Sequence, residues 1–135
     1  MKVIVFGCGK LGAHLARALS QKGEEVIIID RNSRTFKLLG RDFSGGTLVG
    51  LGIDEDVLLE AGIEETDVFA AVTPGDKINI MAALIAKEIY NVPQTIVRIS
   101  DPRMEKIYKE RGLKTLCPAT LGTEKIFHLL EEQMK

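Results

Sequence analysis

The 135-residue sequence predicts an α/β fold: a six-stranded parallel sheet in the order 3-2-1-4-5-6 with helices on both faces. Three observations predict it. Strand-like apolar runs alternate with helical patterns from end to end. The runs are nearly continuous in apolar residues, as strands buried on both faces must be. The first run, Val3-Ile4-Val5-Phe6, passes directly into Gly7-Cys8-Gly9-Lys10-Leu11-Gly12, a G-x-G-x-x-G turn that opens a helix.

The elements follow in order. Lys2 to Phe6 is the first strand. The helix from Lys10 to Lys22 sets Leu11, Leu15, Ala18 and Leu19 on one face, and Gly23 ends it. Glu25 to Asp30 is the second strand, and Asn32 caps a helix running to about Asp42. Gly45-Gly46 turns into a short third strand, Thr47 to Gly50. Asp54 caps a brief helix that stops at Gly62, and Asp67 to Thr73 holds the fourth strand. Asp76 caps a long helix to about Tyr90, with Ile80, Leu84 and Ile85 inward. Thr95 to Ile99 is the fifth strand. Asp101-Pro102 starts the next helix, with proline in its first turn, and Gly112 follows its end. Leu113 to Leu116 is the sixth strand, and Pro118 or Thr120 leads into the last helix. Right-handed crossovers between such units give the stated strand order, that of the Rossmann fold.

In this topology a ligand lies at the carboxyl ends of the strands, where the order reverses between strands one and four. Gly7 permits a tight turn, Gly9 lets a pyrophosphate approach bare backbone, and Gly12 lets the helix pack closely. Unpaired N–H groups and roughly +0.5 charge at the helix start favour phosphate, and Lys10 adds a full charge. Eighteen residues after Gly12 stands Asp30, placed to accept from ribose hydroxyls. A 2′-phosphate about 4 Å from that carboxylate would be repelled by about 4 kcal/mol at an effective dielectric of 20, offset in part by Arg31. The predicted ligand is therefore NAD(H) or an adenine nucleotide (ATP, ADP or AMP) rather than NADP. The Leu51 loop and the Thr73-Pro74-Gly75-Asp76 loop complete the crevice, with Arg98 as a further candidate. Cys8 and Leu11 belong to the glycine turn itself.

Size and charge narrow the class. The chain is read as one domain, residues 1–135, large enough to need no disulfide staple. Eighteen Lys and Arg stand against nineteen Asp and Glu, and the sequence pI is about 6.1. That balance predicts neither nucleic-acid binding nor attraction to a bilayer. No apolar run approaches the ~20 residues of a membrane helix, and Met1-Lys2 leads straight into a strand rather than a signal peptide. Cys8 and Cys117 have no metal-ligand spacing and read as reduced thiols of a cytoplasmic protein.

With these residues in view, the sequence resembles the TrkA N-terminal domain family, also called KTN or RCK, of potassium uptake and channel regulators. Four segments beyond the glycine turn and Asp30 carry the likeness: Val57 to Ile63, Ala70 to Asn79 (AAVTPGDKIN), Val97 to Pro102, and Lys114 to Pro118. The resemblance implies a regulatory subunit or domain on the cytoplasmic side of a membrane potassium channel or transporter. It implies nucleotide binding rather than catalysis, and pairing into dimers or rings. Lys10 stands where many relatives carry an arginine facing the phosphates, and Arg98 is implied to contact phosphate or a neighbouring subunit. Two departures stand out. Relatives commonly place aspartate after the glycine that ends strand three. Here Leu51 follows Gly50, able to pack on adenine but not to accept from its amine. Full regulators also append a second domain, so the chain is read as a fragment or a minimal subunit.

Several residues have two readings. Cys8, at a helix start, is a low-pKa redox thiol or a small filler, and the filler reading is preferred. Asp54, Glu55 and Asp56 complement a helix dipole or hold a cation, the former preferred. Asp76 and Asn79 cap a helix, or position ligand or neighbour. Ile126, Phe127, Leu129, Leu130 and Met134 complete the core or meet a second subunit, and the dimer is preferred. His14 and His128 lack catalytic partners. The rival function is the cofactor-binding portion of an NAD-dependent oxidoreductase. A methyltransferase is the more distant rival.

Overall fold

The computed structural model describes residues 1–134, the side chain of Met134 excepted. Six strands form one parallel sheet: β1 (Lys2–Phe6), β2 (Glu25–Asp30), β3 (Gly46–Val49), β4 (Val68–Ala71), β5 (Gln94–Arg98) and β6 (Lys114–Leu116). Their order is β3-β2-β1-β4-β5-β6, the Rossmann arrangement the sequence predicts. Helices α1 (Lys10–Gln21), α2 (Glu55–Glu60), α3 (Asp76–Leu84), α4 (Pro102–Glu110) and α5 (Pro118–Met134) connect or follow the strands. Among the described residues no helix is long and apolar enough to cross a membrane.

Strand β1 is central because both of its faces are apolar and both of its edges are paired. Val3 registers with Val26 on one side and Val68 on the other. Alternate residues then point to opposite faces. Ile4, Phe6, Ile29 and Phe69 pack under α2 and α3, while Val3, Val5, Val26 and Ile28 pack under α1. Burying each such side chain contributes about 1.5–3 kcal/mol. Helix α1 approaches through Gly12, Ala13 and Ala16, which are buried, and Leu11 turns outward instead of joining the expected apolar face. Small residues at the contact bring the helix backbone close to the sheet.

Three expected helices differ in form. Asn32 does accept the Arg34 N–H, but what it caps is a 3₁₀ helix over Ser33–Leu39 rather than a helix to Asp42. Gly40, at φ +75, stops it. The long helix from Asp76 is not continuous: α3 passes into a π-helical stretch, Ile85–Ile89, in which Tyr90 N–H reaches Ile85 O. Leu84 is accordingly more than a third exposed, and the inward positions are Asn79, Ile80, Ala82 and Ala83. The N-cap of α3 is Gly75, so Asp76 is its first residue and does not cap it. The third difference is α5. Ile126, Phe127, Leu129 and Leu130 are exposed, so the reading in which these four complete the core is overturned, while the Met134 side chain lies outside the described residues.

Candidate functional site

The three glycines of the first turn do three different things. Gly7 sits at φ +113, a conformation that favours glycine. A Cβ there would stand 2.8 Å from the Thr73 nitrogen, so Gly7 sets the approach of the loop after β4 as well as the turn. A Cβ at Gly12 would overlap the Gly7 carbonyl, so the start of α1 rests on the turn itself. A Cβ at Gly9 would meet no atom within 4 Å. That gap is where a phosphate can reach main chain. Gly9 is the N-cap of α1 and offers no side-chain acceptor, and no acidic residue occupies the first turn. The N–H groups of Lys10, Leu11 and Gly12 therefore have no helical acceptor and remain for an anion.

Asp30 ends β2 beside this turn. Its Oδ2 accepts the Cys8 N–H at 2.8 Å and its Oδ1 accepts the Asn32 N–H at 2.8 Å. Each oxygen retains a lone pair for a further donor. Cys8 itself is fully buried beneath the turn, and its thiol donates to Thr35 O at 3.3 Å. Burial pushes its pKa up, the neighbouring Thr35 side chain opposes this, and the Asp30 charge adds to the rise. A fully buried thiol with a raised pKa fits the filler reading rather than the activated one.

Two pockets of about 420 Å³ each lie at the carboxyl ends of the strands. One is lined by Asp30, Arg31, Leu51, Thr73 and Pro74, with Phe6 and Ile78 as apolar surface. It offers an acid for sugar hydroxyls and apolar walls for a base. The other is lined by Gly9, Lys10, Leu11, Pro74 and Arg98, together with Leu116 and Pro118. It holds two cations and no carboxylate. Arg98 Nε is buried there with no hydrogen-bond partner among the described residues. Pro74 is common to both pockets. Of the candidates read from sequence, Cys8 alone lies below the crevice as filler, while Gly7 and Gly12 form its frame. Phe6, Thr35, Ile78, Leu116 and Pro118 were not singled out from sequence. The apolar ones read only as strand or helix residues, and nothing in their spacing marks them as lining.

The loop after β4 is held by Asn79, which is fully buried. Its Oδ1 accepts the Thr73 N–H at 3.1 Å and the Thr73 hydroxyl at 2.6 Å. Its Nδ2 donates to Thr73 O at 2.8 Å and to Arg98 O at 3.0 Å. Asp76 accepts the Ser100 N–H at 2.7 Å and the Asp101 N–H at 3.2 Å. Elsewhere Asp54 accepts the Asp56 N–H, a capping bond, and Glu55 accepts from the Tyr90 hydroxyl at 3.2 Å.

Sheet order, glycine turn, acid-ended β2 and a crevice at the strand carboxyl ends define a Rossmann-type domain. The family model for the TrkA-N domain matches residues 3–117, and the chain belongs to that family. The Trk system potassium uptake protein TrkA of Streptomyces coelicolor is 45% identical over 117 residues, covering 87% of this chain and 52% of that protein. The chain thus spans about half the length of this relative. The TrkA-N domain of the inner membrane protein ybaL from Escherichia coli superposes with a TM-score of 0.84 at 16% identity, covering 96% of each chain. GsuK bound to ADP superposes at 0.79 and 20% identity, covering 98% of this chain and 34% of that one. The GsuK channel bound to NAD superposes at 0.71 and 15% identity, covering 87% and 21%.

Proposed function

We propose that this chain is a regulatory nucleotide-binding domain of a potassium transport system, acting from the cytoplasmic side on a membrane channel or transporter, without catalysis of its own. One observation carries the nucleotide reading: the open Gly9 position lines the pocket that holds Lys10 and Arg98, and Pro74 joins that pocket to the one that holds Asp30. An adenosine fits the latter, with its ribose at Asp30 and its base against Leu51 and Ile78. Its phosphates meet the free N–H groups of α1. A second nucleotide or a longer phosphate chain extends to Lys10 and Arg98. NAD(H), ATP, ADP and AMP satisfy this arrangement, and the 2′-phosphate of NADP does not. Family membership and the name of the Streptomyces relative support the potassium role.

The proposal includes pairing. The apolar residues along α5 lack cover in the single chain, and a second copy supplies it. Nucleotides that prefer different arrangements of the pair then set its conformation. A shift from 1:99 to 99:1 requires about 5.5 kcal/mol of differential binding. Titration calorimetry of nucleotide-stripped protein with NAD, NADH, ATP, ADP, AMP and NADP tests the reading. Saturable heats with the adenine nucleotides or NAD(H), and weaker ones with NADP, are expected. Flat titrations throughout would remove it.

A further inference from the structure

The sheet hydrogen bonding between β4 and β5 ends at the pair Ala71 and Val97. Beyond that pair the register between the two strands ends. Asn79 takes over there. It is a buried amide in a helix face otherwise made of Ile80, Ala82 and Ala83. An amide offers two N–H donors and two lone pairs, and all four are used: three on Thr73 and one on the Arg98 carbonyl. One helical turn earlier, at the i, i+3 spacing that shares a face, Asp76 accepts the Ser100 and Asp101 N–H groups in the loop after β5. Both side chains reach from the first turn of α3 across to β5. A polar residue placed at a buried position and satisfied at every atom is costly to assemble wrongly and specifies a single arrangement.

We infer that Asn79, supported by Asp76, is a positioning residue that ties together the two halves of the crevice and so sets discrimination between ligands that fill one half and ligands that fill both. Thr73 belongs to the half at Asp30, and Arg98 to the half at Lys10. One amide fixes the main chain of both. With the Arg98 main chain fixed, its guanidinium is presented to the second pocket, where Nε has no protein partner. Loosening the tie displaces Arg98 from that pocket while leaving Asp30 and the glycine turn intact. AMP, whose single phosphate stops at the α1 N–H groups, loses less than NAD, which extends past them to Arg98.

The inference rests on the nucleotide reading above, and one experiment separates the two. AMP and NAD affinities are measured by calorimetry on stripped wild type, Asn79→Ala, Arg98→Met and the double variant. Asn79→Ala is expected to weaken NAD at least fivefold more than AMP. In the Arg98→Met background that excess is expected to vanish, because Asn79 acts through Arg98. Equal losses of both ligands, or an excess undiminished by Arg98→Met, would overturn the role, since a purely structural amide gives one or the other. If Asn79→Ala does not fold, the half-buried Asp76→Asn carries the comparison. An amide nitrogen then faces a backbone N–H, and a shift of at least threefold in the NAD-to-AMP affinity ratio is expected. An unchanged ratio would overturn the role. Wild type binding neither ligand would remove the nucleotide reading and this role together. Wild type binding both, with ratios unmoved in the variants, would remove only the role of Asn79.

Discussion

The Cys8 N–H donates to Asp30 Oδ2 at 2.8 Å, so the acid proposed to bind a ribose also holds the glycine turn in place. Two jobs meet in one carboxylate. The turn after β1 and the end of β2 are fixed relative to each other before any ligand is considered.

Asp30→Ala is therefore expected to weaken NAD and adenine nucleotides at least tenfold, measured by calorimetry. A hydrogen bond to a charged acceptor contributes about 1.5–3 kcal/mol, and the freed Cys8 N–H adds to the loss. Asp30→Asn is expected to behave like alanine rather than like wild type. Its amide nitrogen must face either the Cys8 or the Asn32 N–H, since both oxygens are engaged. NADP is expected to bind wild type at least tenfold more weakly than NAD and to recover relative to NAD in Asp30→Ala, where the repelling charge is gone.

Gly9→Val and Gly12→Ala are expected to fail in opposite ways. Gly9 has φ −83 and ψ −163, extended backbone open to any residue, and its missing Cβ faces empty space. The valine variant should keep its thermal midpoint and lose phosphate-bearing ligands. Gly12→Ala drives a methyl into the Gly7 carbonyl and should lose about 1–3 kcal/mol of stability. Thermal melts with nucleotide titration distinguish the pair. Tight binding by Gly9→Val would contradict the placement of the pyrophosphate.

Cys8 gives a pH signature. Its thiol pKa is raised in the folded protein, chiefly by burial, above the ordinary 9.0. A raised folded value means that the unfolded chain loses this proton first as pH climbs. The stability contribution is thus complete below pH 9 and declines as pH rises through 9 toward the folded value. Cys8→Ala is expected to show a smaller loss of stability between pH 8.5 and 10.5 in denaturant titrations. Native Cys8 is also expected to react with iodoacetamide far more slowly than a free thiol, and rapid labelling of folded protein would refute the filler role.

Phe127→Glu and Leu130→Glu test the covering of α5. These side chains are 61% and 48% exposed in the single chain. Charge there should reduce self-association in sedimentation experiments while leaving the thermal midpoint of the monomer nearly unchanged. A wild type that sediments as a monomer at all concentrations would remove the pairing.

The topology was legible in the sequence because each strand is a short apolar run bounded by a turn residue or a cap. Val3 to Phe6 and Val26 to Ile29 admit no other reading beside the glycine turn. The cluster of Gly9, Lys10, Asp30, Leu51 and Pro74 was legible because topology places all five at strand carboxyl ends. What escaped reading depends on register within a helix. Leu84 carries the apolar chemistry of an inward residue, yet the π-helical stretch that begins at Ile85 is a hydrogen-bond shift with no local signature in Ile-Ala-Lys-Glu-Ile. Asp76 carries the chemistry of a cap and sits in the right place for one, but Gly75 takes the cap position and frees the carboxylate for β5. The role of Asn79 needs Arg98 beside it, a contact nineteen residues away in sequence that no window shows.

The Gly12 contact with the Gly7 carbonyl has a consequence for how such a domain signals. A phosphate cradle wedged against its own first residue, and pinned again through Asp30, is preorganised. Little conformational entropy is lost when a ligand docks into it. What cannot move, however, cannot report. On the proposed regulatory reading, the arrival of a nucleotide is therefore felt outside this cradle, at surfaces a second copy would cover, rather than by a movement of the turn itself.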